Sequence, residues 1–282
     1  MLRATLQTVQ ASTASRRYAT SALASPQIQV SQAGQGVRVA TARSEASPAA
    51  SVSLVVKAGS RYESADNAGV AHFLKNFAFK NTQNRTGFRI IRESELQGGI
   101  LTASIDREHL VYTARCLQDD VPYFAGLLAA VAFETRYTAY EFVDLKAQVA
   151  SETLAAQADS NIKLFDELHR VAFNRGLGNS LYASPYNQIT HQKLCNYASQ
   201  AFQGSQMSLV GVNVHHNQLA DLANQLFAQA PATLALQGAP AQYVGGEALI
   251  DGPASQTQYV LAYPTAGRSD LKQAAAHQVL GH

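Results

Sequence analysis

The segment His72-Phe73-Leu74-Lys75-Asn76 has the frame of H-x-x-E-H. In that helical motif two imidazoles four residues apart share a Zn²⁺, and the glutamate beside the second activates a bound water. Only the first chemical position keeps its residue type, because Lys75 stands at the base position and Asn76 at the second ligand position. A protonated lysine neither coordinates a metal nor accepts a proton from water. With an effective dielectric near 20, its charge about 4 Å from a divalent ion opposes binding by roughly 8 kcal/mol. One histidine without a base is not a hydrolytic site, and on the frame alone His72 reads as a core or surface histidine of an apolar helix.

The elements that must position this segment follow from alternation and caps. Residues 36–41 alternate as a strand, and the richer run from Ser51 to Ala58 suggests its neighbour. Asp66 or Asn67 can cap the helix that carries His72, and Thr86 caps a second helix that runs to about Leu96 and ends at Gly98-Gly99. Ile100 to Ile105 and His109 to Cys116 alternate around Asp106-Arg107-Glu108 as a hairpin, so the sheet is expected to be largely antiparallel. Helices capped by Asp119 or Asp120, by Thr138 and by Ser160 are expected, the last with Leu164, Leu168 and Val171 on one buried face. A helix near Thr190, a strand over Met207 to Val214, and a helix led by His215-His216 to about Gln229 follow. Adjacent residues point in different directions, so the histidine pair reads as a solvated turn. Glu152, within Ala150-Ser151-Glu152-Thr153, reads locally as an exposed helix residue.

An Ala/Pro/Gly/Gln-rich connector spans residues 231–242. Beyond it, residues 246–250 and 256–263 resemble strands and a helix starts at Asp270, repeating the order seen at the beginning. Ala276-His277-Gln278-Val279-Leu280 echoes Ala71-His72-Phe73-Leu74. The expected organisation is an N-terminal domain over 36–230 and, over 243–282, the start of a second copy of the same fold that stops in its first helix.

Composition narrows the function classes. The 282 residues are 46% hydrophobic and 15% charged with a net charge of +2, enough apolar content for real cores and too little basic clustering for a nucleic-acid binder. Cys116 and Cys195 stand apart without C-x-x-C spacing and read as ordinary thiols. No acidic residue precedes Glu45, whereas Arg3, Arg16, Arg17, Arg38 and Arg43 are basic and the first stretch is rich in Ser, Thr, Ala and Gln. That is the composition of a mitochondrial transit peptide over 1–18, followed by a lead segment over 19–35. Leu2, Arg3, Leu6 and Val9 can form a short amphipathic helix, and Arg16-Arg17-Tyr18-Ala19 places the expected cleavage between Tyr18 and Ala19. The uncharged stretch from Val121 to Phe133 is too short for a bilayer, which needs about 20 residues.

The strand-like run ahead of the helix, the frame at His72 and the following Ala78-Phe79-Lys80-Asn81-Thr82 resemble the pitrilysin-type metallopeptidases, the mitochondrial processing peptidase branch in particular. The resemblance implies an α+β, two-layer fold, mainly antiparallel sheet against helices, repeated in a second half. It implies that Glu152 stands where active members keep their third ligand, so His72, Lys75, Asn76 and Glu152 form a degenerate motif that holds no metal. Lys75 is then expected to pair with Glu152, supplying the positive charge that zinc gives in active relatives. Phe173-Asn174-Arg175-Gly176-Leu177-Gly178-Asn179-Ser180-Leu181-Tyr182 and Thr113-Ala114-Arg115-Cys116-Leu117-Gln118-Asp119-Asp120-Val121 resemble the core-protein members of this family, found in mitochondrial ubiquinol-cytochrome c reductase (respiratory complex III). The implied role is a non-catalytic scaffold without cofactor on the matrix side of the inner membrane. Its implied partners are the first core protein, cytochrome b, cytochrome c1 and the iron-sulfur protein, with membrane association only through them. Two other roles within the family are a presequence-binding alpha subunit of the processing peptidase and an active zinc peptidase, which needs substitutes for both lost groups.

Overall fold

The computed structural model describes residues 27–43, 47–184, 189–231, 236–250, 257–264 and 270–280. The basic leader and the Tyr18-Ala19 cleavage position lie outside them.

The strands are β1 (Gln27–Gln32), β2 (Arg38–Arg43), β3 (Ala49–Val56), β4 (Ile100–Ile105), β5 (Leu110–Leu117) and β6 (Met207–Val212). The helices are α1 (Val70–Asn76), α2 (Gly87–Leu96), α3 (Val121–Phe133), α4 (Ala139–Ala158), α5 (Ser160–Phe173), α6 (His191–Ala201), α7 (His216–Leu226) and α8 (Leu271–Leu280). One six-stranded sheet has the order β1-β2-β6-β3-β5-β4. Among the described residues only β2 and β6 run parallel and every other strand pairing is antiparallel, as the hairpin and the alternation lead one to expect. α3 packs on β3 and β5, α7 on β1, β2 and β6, and α1 and α2 on β4. The core lies between these layers: Val52, Leu54, Val56, Leu110, Tyr112 and Leu209 from the sheet meet Phe124, Leu127, Leu128, Val70, Leu74 and Leu219 from the helices. α3 is apolar nearly all round because eight of its residues are buried.

Several local expectations hold and several need correction. Thr86 caps α2 by accepting from the Arg89 amide, and Thr190 caps α6 by accepting from the Lys193 amide. Asp159, not Ser160, caps α5 by accepting from the Asn161 and Ile162 amides, and Asp120 and Thr138 stand at the N-caps of α3 and α4 without a side-chain hydrogen bond to a helix amide. β2 and β3 are not neighbours: β6 lies between them, pairing parallel with one and antiparallel with the other. Alternation in a strand gives its buried face and says nothing about which distant strand it will pair with. β1 falls within the segment read as the lead over 19–35, and it pairs over its whole length with β2.

Asp66 and Asn67 do not cap α1. They belong to a separate short turn over Ala65–Asn67, in which Asn67 Oδ1 accepts from the Ser64 amide at 2.6 Å. The C-terminal expectation is also revised: residues 246–250 and 257–263 are not strands, although α8 forms where a helix was expected. A strand needs a neighbouring ladder for its amides and carbonyls, and neither segment has one among the described residues.

Candidate functional site

α1 and α4 pack against each other, and the face between them carries the motif positions. His72 and Asn76, four residues apart, share one side of α1, and Glu152 meets them from α4. Its Oε2 accepts from Lys75 Nζ at 2.8 Å, from His72 Nε2 at 2.8 Å and from Asn76 Nδ2 at 3.2 Å. Gln148, one turn earlier on α4, donates to Glu152 Oε1 at 3.2 Å and to Asn76 Oδ1 at 3.1 Å. The ammonium expected to reach Glu152 therefore does so.

The protons in this cluster can be assigned from its contacts. His72 is 1% exposed, and its Nδ1 accepts from the Ala183 amide at 3.2 Å. An acceptor Nδ1 leaves the ring proton on Nε2, where it donates to Glu152. Burial pulls the His72 pKa down against the opposing hydrogen bond that the ring donates to Glu152, and the Lys75 charge adds to the lowering, so the ring is neutral. The His72–Glu152 contact is thus a hydrogen bond to a carboxylate, and the ion pair is Lys75–Glu152. Partial burial pushes the Glu152 carboxyl up, but donation from Lys75, His72, Asn76 and Gln148 outweighs it and holds the pKa at about 2.

A loop after α5 closes this cluster. Tyr182 meets the His72 ring edge-on at 5.5 Å, and the Ala183 carbonyl accepts from Thr153 on α4 at 2.9 Å. Gly69, the residue before α1, has a φ of +93°, and a Cβ there would stand 2.6 Å from Ala183 Cα. Both the backbone conformation and the close approach require glycine at that position. Asn179 ties the loop to the segment before α1, donating to the carbonyls of Ser60 at 2.8 Å and Glu63 at 3.1 Å.

One residue with a decisive role has no signature in the sequence. Glu63 is buried, and its oxygens accept from the Gly69 and Ala71 amides, both at 2.8 Å. It thereby satisfies the free amides at the α1 N-terminus that Asp66 or Asn67 was expected to serve. A cap is normally read from the residue next to a helix, and Glu63 reaches forward over the short turn at Ala65–Asn67. Helix spacing does point to Gln148, which lies four residues before Glu152 on the same helix.

The residues present do not fit the catalytic metal that the H-x-x-E-H frame serves. The position of the second imidazole is an amide, the position of the base is an ammonium, and Glu152 Oε2 already serves three donors. Among the described residues no group of three or more His, Cys, Asp or Glu is arranged to hold a metal ion. His215 and His216 each make a side-chain contact to β2 rather than facing only solvent: His216 Nδ1 lies 2.9 Å from Thr41 Oγ1 and His215 Nδ1 lies 3.3 Å from an Arg43 guanidinium nitrogen. Cys116 and Cys195 are free thiols. Among the described residues no helix is long and apolar enough to cross a membrane.

Comparison with known proteins places this geometry. Residues 38–184 match the family described as Insulinase (Peptidase family M16). The chain belongs to that insulinase family. Its "Peptidase M16 inactive domain" profile matches residues 188–282. β6 lies within this second match, yet it pairs between β2 and β3 of the first, and α6 and α7 pack against elements of the same unit.

Among insulinase-family relatives, the chain is 37% identical over 236 residues to the mitochondrial cytochrome b-c1 complex subunit 2 of Cryptococcus neoformans, covering 80% of this chain and 54% of that protein. It is 32% identical over 203 residues to the human mitochondrial cytochrome b-c1 complex subunit 2, covering 71% and 45%. It is also 30% identical over 241 residues to the mitochondrial-processing peptidase subunit alpha of Solanum tuberosum, covering 85% and 48%. The chain spans about half the length of these curated relatives.

Proposed function

We propose that this protein is a non-catalytic core subunit of mitochondrial ubiquinol-cytochrome c reductase, supporting assembly and stability of the respiratory complex. The observation that carries this reading is the Lys75 ammonium 2.8 Å from Glu152, beside a neutral His72. A positive charge held by the protein's own chain occupies the electrostatic position of a cation. His72, Lys75, Asn76 and Glu152 are thus a degenerate peptidase centre kept as a packing clasp between α1 and α4. Similarity to several cytochrome b-c1 complex subunit 2 proteins supports the choice of complex.

On this reading the subunit sits on the matrix side of the inner membrane and binds the first core protein. Through the assembly it supports cytochrome b, cytochrome c1 and the iron-sulfur protein, and it holds no redox group itself. The unit that does this is the layer over 36–230, with 231–242 as a connector to the second half at 243–282, and the leader is cut between Tyr18 and Ala19.

A second reading, a presequence-binding alpha subunit of the processing peptidase, is favoured by the relative from Solanum tuberosum. Gentle detergent extraction followed by native electrophoresis separates the two. Migration with cytochromes b and c1 is expected; migration as a soluble heterodimer without haem overturns the core-subunit reading in favour of the second.

A further inference from the structure

Glu63 takes no part in the clasp, yet it holds the end of α1 that presents it. It is a buried carboxylate whose two oxygens each accept one backbone amide, Gly69 and Ala71, at 2.8 Å. Among the described residues no ammonium, guanidinium or imidazole forms an ion pair with it. The ionisable group that faces it from α6 is Tyr197, a phenol whose own proton is donated to the Gly59 carbonyl at 3.1 Å. Its sequence neighbour Tyr62 is also a phenol with a raised pKa, α1 contributes only amides, and the loop after α5 contributes the Asn179 amide. The nearby charges are paired elsewhere: Arg61 with Glu108, and the Lys193 ammonium on the Asp66 carbonyl at 2.7 Å. Among the described residues this is a buried carboxyl without a counter-ion, built into the fold at a helix end.

We propose that Glu63 is a positioning residue that exchanges a proton with solvent in the folded protein, and that its charge state sets how firmly the α1 N-terminus is held. Charge-assisted hydrogen bonds are roughly twice as strong as neutral ones, so the ionised form grips the Gly69 and Ala71 amides and the protonated form loosens them. Burial pushes the carboxyl up to about 8, against the lowering by those two amides. The effect on whole-chain stability has the opposite sign. A folded pKa raised above the unfolded value contributes stability that is full below about 4.3, the unfolded value, and is lost as pH rises through the folded one. Raising the pH thus tightens α1 against openings that leave the carboxylate buried, while weakening the fold against complete unfolding, which hydrates it.

The test uses the full chain labelled with ¹³C at glutamate side chains, followed by NMR from about pH 5.5 to about pH 9.5. The Glu63 resonance is identified by its contact with the Ala71 amide in the unaltered protein and by its absence in Glu63→Gln, so the result does not depend on the variant folding. The expected midpoint is about 8. Exchange of the Gly69 and Ala71 amides, corrected for intrinsic base catalysis, is expected to be several-fold slower above that midpoint, while the urea midpoint falls. A carboxyl midpoint below about 6, or amide exchange that ignores the titration, overturns the proposal. Neither outcome bears on the assignment to complex III, which the native gel tests separately.

Discussion

Two carboxylates serve opposite ends of α1 and have opposite electrostatic fates. Glu152 meets the last turn with an ammonium, an imidazole N–H and an amide on one oxygen, and its pKa is held at about 2. Among the described residues Glu63 meets the first turn with only two backbone amides, and burial drives its pKa to about 8. The residue type is the same, so the difference comes from what each carboxylate is given in exchange for water. A cation and several side-chain donors keep the first ionised at any physiological pH. Two amides without a cation leave the second near neutrality, where proton exchange is possible.

The comparison breaks most visibly if the better-supplied carboxylate is deleted. Glu152→Ala leaves the buried His72 N–H without an acceptor and should destabilise the fold by about 2–4 kcal/mol, read from urea unfolding. A loss below about 0.5 kcal/mol means that the clasp does not hold the two helices. Gly69→Ala strikes the other end, forcing a side chain into a φ of +93° and against Ala183 at 2.6 Å. About 1–3 kcal/mol is expected from backbone strain alone, and an unchanged thermal midpoint contradicts the close approach.

Removing only the cation sharpens the contrast. Lys75→Met keeps the apolar stem and should destabilise by roughly 1 kcal/mol at neutral pH, since the pair is partly exposed and screened. The acid limb is more informative. Glu152 has a depressed folded pKa, so its contribution is present above the unfolded value of about 4.3 and is lost as pH falls through about 2. Lys75→Met should shift that loss to higher pH in an acid-unfolding series; an identical acid limb shows that the ammonium does not hold the carboxylate down. Gln148→Ala removes a donor from the outer oxygen and should change stability by less than about 0.5 kcal/mol, with a larger effect indicating that Asn76 depends on Gln148 for its orientation.

What the sequence reveals of this molecule follows the range of each signal. The frame at His72, the substitutions at Lys75 and Asn76 and their meeting with Glu152 are legible because helix spacing and charge act over a few residues, and the family resemblance supplies the longer step to α4. Thr86 is legible as a cap for the same reason. β6 between β2 and β3 is not, because the strand that fills the gap comes after α6 and no local pattern names its partners. Glu63 escapes notice because it caps α1 from outside the usual cap positions. The expected strands at 246–250 and 257–263 show the reverse failure, alternation without a ladder beside it.

The decisive measurement is the metal content of the purified chain after incubation with zinc, taken together with a peptide-cleavage assay. Lys75 and Asn76 in place of a base and a ligand predict no stoichiometric zinc and no turnover. Stoichiometric zinc that His72→Ala releases, accompanied by peptide cleavage, would contradict the reading of this cluster as a metal-free clasp.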